Sequence, residues 1–541
     1  MSRTKKSSRV KRNADADLAE LSKKQRTNKS DLANAAPTAT EVDQKGSRQW
    51  AKSTFTKLLG GMSMDMFLSD YFEKKPLHVR KEEKGQLFNS NLFSRKKMLK
   101  IMEKQSDPFS FGKDLAICKY VDSKRENFHD EACNGQASSR QVARLLDSGY
   151  SCQFYQPQRY ADGLYELNAA LEEAFGGLAG ASAYLTPANA QALAPHHDDV
   201  EVFVLQTQGR KRWKLYRPLV ELAGEHSLDL TEDQIGEPWM EITVEEGDLL
   251  YFPRGVIHQA CTDENEFSTH VTISVYQHTS WANFLEVALP RIIRQAFDSN
   301  VEFRKGLPVG YLNYMGTQFV ADTVKATEFT ATCKKLVGKL AAYVIEKDLQ
   351  EAADEAAMDV LANRLPPLGE NQSKEDDEFS RSLLDSNFNV HFKNRSHVRL
   401  TMGEDALQEA FVAVYFSLYN CRRHHMGLCT CDGEYEDERS KTDDDDEKSD
   451  EEESEEAGID DGYEVDEDVT KAMRQIPPQP KSVVFPGDLA PALMKLYASS
   501  GAAPWVSINK LAEVAGDETA VRGMVLRLWS EGLIEITSQS C

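Results

Sequence analysis

The stretch PHHDDVEVFVLQ at residues 195–206 combines two features that together decide the fold. It opens with a His-x-Asp pair, His196 and Asp198, and runs on into the apolar segment 202–205. A short run rich in Val and Phe predicts a buried β-strand. Side chains two positions apart on a strand point to the same face, which places an imidazole beside a carboxylate. The stretch therefore predicts a strand with two metal-ligating side chains at its start.

A third candidate ligand follows in YFPRGVIHQ at residues 251–259, where an apolar strand stops at Pro-Arg-Gly and His258 comes next. Two histidines and one carboxylate on one face of an iron leave positions open for a co-substrate and dioxygen. A His-x-Asp pair alone is common on exposed strands, so the surrounding strands carry the argument. Together the three residues predict the Fe(II) site of an oxygenase.

The flanking segments predict more strands around this site. Gly209 marks a turn, WKLY at 213–216 is typical of a returning strand, and HVTISVY at 270–276 alternates polar with apolar residues. That alternation indicates one face lining a cavity and the other packed in a core. Short strands at regular spacing predict a barrel or jelly roll.

Lys211 lies early in the returning strand. One cation facing inward there could hold the distal carboxylate of an acidic co-substrate such as 2-oxoglutarate. A lysine near a turn is more often a solvated surface charge. Because Arg210 and Arg212 flank it, periodicity alone does not decide which of the three cations faces inward.

These segments, together with YLTPANAQ at 184–191, resemble the JmjC-domain ribosomal oxygenases. They are most similar to the nucleolar branch, whose members are described as bifunctional histidyl-hydroxylases of a large-subunit ribosomal protein and histone lysine demethylases. The resemblance implies an α+β fold with a JmjC, cupin-like double-stranded β-helix (jelly-roll) catalytic core. A helical dimerisation region and a C-terminal winged helix are expected to follow it.

The resemblance also implies roles for individual residues, and no catalytic group beyond these ligands. Fe(II) would be bound by His196, Asp198 and His258, and 2-oxoglutarate by Lys211 and Tyr184, with Ser274 matching a pocket serine of the family.

Three positions depart from the family pattern. Ser182 stands where asparagine is expected, His197 replaces a tyrosine between the two ligands, and Gln153 replaces an arginine that animal members carry near the substrate cleft. None of the three is a metal ligand, so the departures bear on substrate choice rather than on the oxidation chemistry.

The implied activity is an Fe(II)- and 2-oxoglutarate-dependent oxygenation with O2 that hydroxylates a histidine of a large-subunit ribosomal protein. The alternative within the enzyme class is a histone lysine demethylase, because hydroxylation of an N-methyl group ends in loss of formaldehyde. The alternative outside it is a non-catalytic scaffold in chromatin or ribosome assembly, which an acidic run, a basic tail and a winged helix would suit.

Composition shifts along the chain divide it into five regions, and the resemblance implies that two of them are the JmjC catalytic domain and a helical dimerisation region. They are a disordered basic tail (1–46), the JmjC catalytic domain (47–282), a helical dimerisation region (283–425), an acidic disordered insertion (426–475) and a winged-helix domain (476–541). We expect a homodimer through the helical region, although a monomeric helical lid is the open alternative. No apolar run is long enough to suggest a membrane segment.

Charge is distributed very unevenly. Of the formal net charge of -23, residues 432–468 contribute -19, from 22 acids and 3 bases. The first 30 residues carry ten Lys or Arg against three acids. Such basic clusters predict a nuclear or nucleolar address, with a solvated tail as the alternative. The C-terminal region from Phe485 holds four bases against six acids, which argues against sequence-specific DNA binding.

A second cluster of metal-type side chains comprises Cys421, His424, His425, Cys429 and Cys431. Zinc ligands usually pair at a spacing of two to four residues. Because Cys429 and Cys431 are separated by one residue and no second pair follows, incidental thiols near a strand end are the favoured interpretation.

Overall fold

In a computed structural model, the chain is described over residues 47–81, 88–105, 108–121, 124–128, 135–319, 324–368, 388–427, 479–499 and 505–538. The described residues divide into two compact units: those of the larger lie within 51–371 and 394–487, and those of the smaller lie within 1–50, 372–393 and 488–541. The predicted basic tail lies outside the described residues, as does the acidic insertion from residue 428 onward.

The larger unit is built around one sheet that curls on itself. The strands of this sheet are β1 (Leu77–Val79), β3 (Leu115–Val121), β4 (Lys124–Asn127), β6 (Ser151–Tyr155), β7 (Ala179–Thr186), β8 (Glu201–Tyr216), β9 (Met240–Glu245), β10 (Leu249–Phe252), β11 (Ile257–Cys261) and β12 (Ser268–Val275). They run in the order β1-β10-β8-β12-β7-β6-β3-β4, and β9 and β11 also pair with β8. Strands β2 (Phe109–Ser110) and β5 (Gln136–Ala137) pair with each other in a separate two-stranded sheet. Helices surround this sheet: α1 (Arg48–Leu58), α2 (Met64–Asp70), α3 (Arg95–Lys104), α4 (Ser139–Asp147), α5 (Asp162–Phe175) and α6 (Glu232–Ile235).

The long strand β8 serves both halves of the roll. Its first half pairs with β10 and β12, and its second half pairs with β9 and β11. The change of partner occurs at Gly209, whose φ is +62° and where an added Cβ would lie 1.8 Å from the carbonyl oxygen of Phe267. Only glycine fits such an approach of two backbones. The predicted jelly-roll core is confirmed.

Residues 202–205 of β8 are buried on both faces of the strand, which explains their continuous apolar sequence. One face joins the interior of the roll, where Val202 and Val204 pack with Trp213 and Phe252. On the other face, Phe203 contacts aromatic rings from α1, α2 and α5. This double burial fixes the strand register, because a one-residue slip would exchange the two faces.

A helical layer follows the roll in sequence: α7 (Trp281–Ser299), α8 (Val301–Arg304), α9 (Val324–Lys339) and α10 (Glu346–Asn363). Helices α7 and α10 pack through small side chains, since Ala288 and Ala352 are fully buried beside Ile292. Among the described helices, none has the length and hydropathy needed to span a membrane.

The region expected to be helical, 283–425, also contains strands, which corrects that expectation. Strands β14 (Val398–Glu404) and β15 (Ala410–Phe416) form a three-stranded antiparallel sheet with β16 (Lys481–Pro486). In residues 410–416 the alternation of polar and apolar side chains is too weak to distinguish a strand from a helix. The partner strand β16 follows the acidic segment in the sequence. The expected boundary at residue 476 is therefore wrong, because β16 belongs to the larger unit.

The smaller unit contains three helices: α11 (Ala490–Ala498), α12 (Ile508–Ala515) and α13 (Glu518–Ser530). Its sheet has three strands. The last strand, β18 (Ile534–Ser538), pairs with β13 (Phe388–Phe392), which also pairs with β17 (Val506–Ser507). The central strand thus comes from a segment far upstream, a pairing that no local pattern can reveal. The winged-helix assignment stays a prediction.

Within the Cys/His cluster near residue 425, the structure shows what His425 contacts. His425 is buried, its Nε2 lies 2.7 Å from a carboxylate oxygen of Glu172, and its Nδ1 lies 2.8 Å from the side-chain amide of Gln158. Both ring nitrogens are occupied, so neither is free to bind zinc. Cys429 and Cys431 lie outside the described residues.

Candidate metal centre

Backbone pairing brings the two distant parts of the predicted metal site together. His196 and His258 form a pair of backbone hydrogen bonds of 3.2 and 2.9 Å across an isolated antiparallel bridge. Gly255 then donates its N–H to the carbonyl oxygen of Asp198 at 2.9 Å. This glycine has a φ of +83°, and an added Cβ would lie 2.6 Å from the carbonyl oxygen of Val220. The Pro-Arg-Gly stop thus anchors the loop that carries the carboxylate.

The three side chains converge on one point. Ligand atoms of His196, Asp198 and His258 all lie within 4.8 Å of one another. The Nε2 atoms of the two histidines are 3.9 and 3.8 Å from the carboxylate oxygens of Asp198. Two imidazole nitrogens and one carboxylate oxygen at this spacing match the facial donor set that suits Fe(II).

Both histidines are held in the form a metal requires. Nδ1 of His196 lies 2.8 Å from the carbonyl oxygen of Ala194, and Nδ1 of His258 lies 3.1 Å from that of Val256. Because a carbonyl can only accept, each Nδ1 carries the proton and each Nε2 presents a lone pair. Burial, together with the nearby His196, lowers the pKa of His258 to about 4, so this ring is neutral at physiological pH.

Lys211 resolves the ambiguity among the three adjacent cations, since it points inward and only 3% of it is exposed, whereas Arg210 and Arg212 are exposed. It lines the same pocket as the triad. Its Nζ donates to the hydroxyl of Thr186 at 3.0 Å, and no ion pair to it occurs within the described residues. Burial lowers its pKa to about 8. A buried cation without a counter-ion is costly, which makes this wall of the pocket suited to an anion.

Tyr184 stands in the same wall. Its hydroxyl oxygen accepts a 2.9 Å hydrogen bond from the side-chain amide of Gln153. Burial, reinforced by the charge of Asp198, raises the pKa of Tyr184 well above its ordinary range, so the hydroxyl keeps its proton. Lys211 and Tyr184 therefore both line the pocket with hydrogen-bond donors, and their binding of a co-substrate stays a prediction.

The remaining predicted positions differ in their placement. Ser274 lies on the strand face shared by His270 and Thr272, but of these three only His270 and Thr272 are among the described pocket-lining residues. His197 is not among the described pocket-lining residues, and its backbone exchanges hydrogen bonds with Ser227. Ser182 pairs with Thr272 across β7 and β12.

Sequence reasoning did not single out two pocket residues, His270 and Trp213. The alternation in β12 indicated a cavity-lining face that includes His270, so the signal was present. Trp213 carried no comparable signal, because an aromatic residue in a strand is far more often part of a core.

The fold and the three converging side chains define a class: a jelly-roll protein with a two-histidine, one-carboxylate metal centre. A family model of the JmjC domain matches residues 153–284. Ribosomal oxygenase 2 of Rattus norvegicus is 34% identical over 384 residues, which cover 69% of this chain and 79% of that protein. The chain therefore belongs to the JmjC-domain ribosomal oxygenase family.

Other relatives agree in sequence over a similar stretch. Ribosomal oxygenase 1 of Homo sapiens is 36% identical over 326 residues, covering 60% of this chain and 49% of that protein. A Culex quinquefasciatus protein named bifunctional lysine-specific demethylase and histidyl-hydroxylase NO66 is 34% identical over 396 residues, covering 69% of this chain and 58% of that protein. The chain thus spans about half the length of these two relatives.

Among solved structures, YcfD, a ribosomal oxygenase from Escherichia coli in complex with cobalt and 2-oxoglutarate, aligns with a TM-score of 0.39 at 12% identity. That alignment covers 88% of this chain and 99% of the other. The likeness is too low to support an argument about this chain.

Proposed function

We propose that this protein is an Fe(II)- and 2-oxoglutarate-dependent oxygenase that hydroxylates a histidine of a large-subunit ribosomal protein. The observation that carries the proposal is the triad within 4.8 Å, together with a buried Lys211 in the same pocket that has no ion-pair partner among the described residues. The donor set fits Fe(II), and the lysine fits a dicarboxylate that reaches the metal with its other end. Bound iron would supply the activation of O2 with oxidation of 2-oxoglutarate to succinate and carbon dioxide.

The chain's own residues would do three things in this reaction. His196, Asp198 and His258 would occupy one face of the metal and leave the opposite positions to ligands. Lys211 and Tyr184 would fix the orientation of the co-substrate by binding its distal carboxylate. The apolar lining from Val202 and Phe252 would keep bulk water away.

We favour a ribosomal protein as the substrate because relatives of this chain carry the name ribosomal oxygenase. Lysine demethylation is the second candidate, because the Culex relative is named for both activities. The metal and co-substrate residues do not separate the two, since both begin with hydroxylation of a C–H bond. A scaffold role without turnover is disfavoured by the complete set of ligands.

The test is to incubate the protein with Fe(II), 2-oxoglutarate and ascorbate, adding either a peptide of the large-subunit ribosomal protein or methylated histone tails. We expect succinate formation and a mass gain of one oxygen on a histidine of the first peptide. Loss of methyl groups from the histone tails would instead support demethylation. Bound iron without any turnover on either would contradict the assignment.

Two histidine variants provide a matched pair of test and control. His258→Ala removes a proposed metal ligand and is expected to abolish turnover. His197→Ala removes an imidazole that is not part of the triad and is expected to retain most of it. Equal turnover in the two variants would reject the assigned triad.

We also propose that the protein is a homodimer through α7. This helix buries Ala288, Ile292 and Ala296 on one side. Another side presents a stripe of apolar residues four positions apart, which are Trp281, Leu285, Leu289, Ile293 and Phe297, between 38% and 81% exposed. A contiguous apolar stripe of this kind is characteristic of a protein contact surface.

The oligomeric state can be measured by size-exclusion chromatography with light scattering. The double substitution Leu289→Glu with Ile293→Glu is expected to give a monomer. Lys96→Glu, an exposed change on α3, is expected to leave the dimer intact. A monomeric unmodified protein would contradict the proposal.

For localisation, we propose the nucleus and nucleolus, from the basic clusters of residues 1–46. A fluorescent fusion of the full chain is expected to accumulate there, and one lacking residues 1–46 is expected to be diffuse. We expect no sequence-specific DNA binding, which an electrophoretic mobility assay at physiological salt would check.

A further inference from the structure

Helix α3 carries a strong positive charge in a chain whose net charge is negative. Its ten residues hold five basic side chains against one acid, whereas the whole chain has a formal net charge of -23. The helix packs through Met98 and Met102, which are buried. Lys96, Lys100 and Lys104 recur at four-residue intervals, so they line one side of the helix. All three are exposed.

These three residues, here called the lysine stripe, have no ion-pair partner among the described residues. By contrast, the neighbouring Arg95 pairs with Asp147 at 2.6 Å. Lysines on a surface are ordinarily solvated, but like charges four residues apart on a helix repel each other. An anionic partner lying against the lysine stripe would therefore stabilise the helix.

The chain itself brings such a partner close to α3. Nη2 of Arg423 donates a hydrogen bond of 3.1 Å to the side-chain oxygen of Gln105, which directly follows Lys104 at the end of α3. The buried contact of His425 with Glu172 holds the same short segment in place. The described part of this segment ends at residue 427, four positions after the Arg423 contact. The chain thus continues from a point near the C-terminal end of the lysine stripe.

The strongest negative charge of the chain follows in sequence. The acidic segment, residues 432–468, holds 22 acids and 3 bases, and its run 443–453 has nine acids against one base. This run starts 16 residues after residue 427. A chain of that length spans at most about 55 Å, and the lysine stripe is about 12 Å long. The run can therefore reach all three lysines, and the tether raises its local concentration there.

We propose that the lysine stripe is an intramolecular docking surface for the acidic segment of the same chain. Three observations support this occupant: the opposite charge, the place where the described chain ends, and the length that follows. The contact would shield α3 from other polyanions, such as RNA, because these would have to displace a tethered competitor. The inference is independent of the proposed oxygenase activity, since the lysine stripe is not among the described pocket-lining residues.

The test is cross-linking of the full chain with a carbodiimide, which joins a lysine amine directly to a carboxylate that contacts it, followed by mass spectrometry. The control is Lys334, an exposed lysine of α9. At low salt we expect cross-links to the acidic segment to be at least about fivefold more abundant for each stripe lysine than for Lys334. The excess should disappear at about 1 M salt, where charges are screened within a few ångströms.

Isotope labelling identifies which chain supplies the acidic segment. Labelled and unlabelled protein would be mixed and cross-linked after native mass spectrometry has shown that any subunits have exchanged. We expect links between peptides of the same isotope. Links of mixed isotope, in the proportion that random pairing gives, would assign the acidic segment to a second copy and overturn the inference. It would also be overturned if the acidic segment joined the lysines of residues 1–46 and the lysine stripe scored no higher than Lys334.

RNA binding tests the same contact without cross-linking. A labelled oligouridylate would be titrated into the unmodified chain and into an amide variant, in which every Asp of the acidic segment becomes Asn and every Glu becomes Gln. We expect the amide variant to bind about tenfold more tightly. Adding Lys96→Glu, Lys100→Glu and Lys104→Glu should remove this gain, whereas adding Lys334→Glu with Lys335→Glu on α9 should keep most of it.

An amide variant that binds no more tightly, or a gain that survives loss of the lysine stripe, would overturn the inference. Tight RNA binding by the unmodified chain that is lost with the lysine stripe would make RNA the occupant and would overturn it as well. Because all the substituted lysines are exposed, we expect every variant to fold, which circular dichroism would verify.

Discussion

The side-chain amide of Gln153 donates a hydrogen bond of 2.9 Å to the hydroxyl oxygen of Tyr184, its direct neighbour across β6 and β7. Since that oxygen already accepts from Gln153, and since burial raises the pKa of Tyr184, the tyrosine proton is left to point elsewhere. The pocket is where an acceptor is expected. Because the side chain of Gln153 is uncharged, a neutral group orients the tyrosine hydroxyl.

Reversing the polarity of this contact should weaken co-substrate binding. In Gln153→Glu the carboxylate would accept the proton of Tyr184 and withdraw it from the pocket. We expect the Kd for 2-oxoglutarate to rise about tenfold in this variant, and by less in Gln153→Leu. Calorimetry on Mn(II)-loaded protein measures it, with Gln136→Glu on the surface as the matched change. Unaltered affinity in Gln153→Glu would show that the contact does not direct the proton.

The buried charge of Lys211 should lower the stability of the ligand-free protein and strengthen binding of the co-substrate. Its folded pKa of about 8 lies below the ordinary value of 10.5, so its charge destabilises the fold at neutral pH and less so as pH rises past 8. Lys211→Met should therefore raise the Tm of the ligand-free protein by a few degrees and abolish the Tm increase caused by 2-oxoglutarate.

The control for this change is Lys214→Met on the same strand, where the side chain is 39% exposed and pairs with Glu241. It should alter neither the Tm nor the response to ligand by much, because exposed ion pairs contribute little. A lower Tm in Lys211→Met would contradict the claim that the buried cation is unpaired.

Glu201 should make stability fall as pH rises through neutrality. This carboxyl is fully buried, and burial raises its pKa to about 7 despite a hydrogen bond from the hydroxyl of Tyr251. The folded pKa exceeds the ordinary value of 4.5, so the protonated form stabilises the fold fully below pH 4.5 and the benefit is lost by about pH 7. The gap corresponds to roughly 3 kcal/mol.

Denaturant unfolding of the unmodified protein and of Glu201→Gln between pH 5 and 8 would measure this effect. The amide can still accept from Tyr251 but cannot ionise. As pH rises, the free energy of unfolding of the unmodified protein should fall relative to that of Glu201→Gln. A difference that is constant with pH would show that Glu201 does not titrate in this range.

Gly255 should tolerate no side chain. Its positive φ and the 2.6 Å approach of a Cβ to the carbonyl oxygen of Val220 require glycine. Gly255→Ala should cost about 2 kcal/mol of stability and weaken Mn(II) binding, because the Gly255 N–H holds the backbone of Asp198. Gly224→Ala, where an added Cβ meets nothing within 4 Å, is the control. Equal effects of the two changes would contradict the anchoring role.

Local sequence was sufficient for the core of this protein. The apolar run after His196 and Asp198 indicated a buried strand, and the Pro-Arg-Gly stop before His258 indicated where the third ligand lies. Such patterns are readable because strand side chains alternate and because turns need particular residues. They led to the jelly roll and to the three residues that the structure brings together.

Other features were decided only by the tertiary structure. Periodicity could not choose among Arg210, Lys211 and Arg212, because the choice depends on which face of β8 meets the cavity. Strand β13 joined β18 across more than a hundred intervening residues, and β16 joined β15 across the acidic segment. Such pairings depend on long-range contacts rather than on local preference.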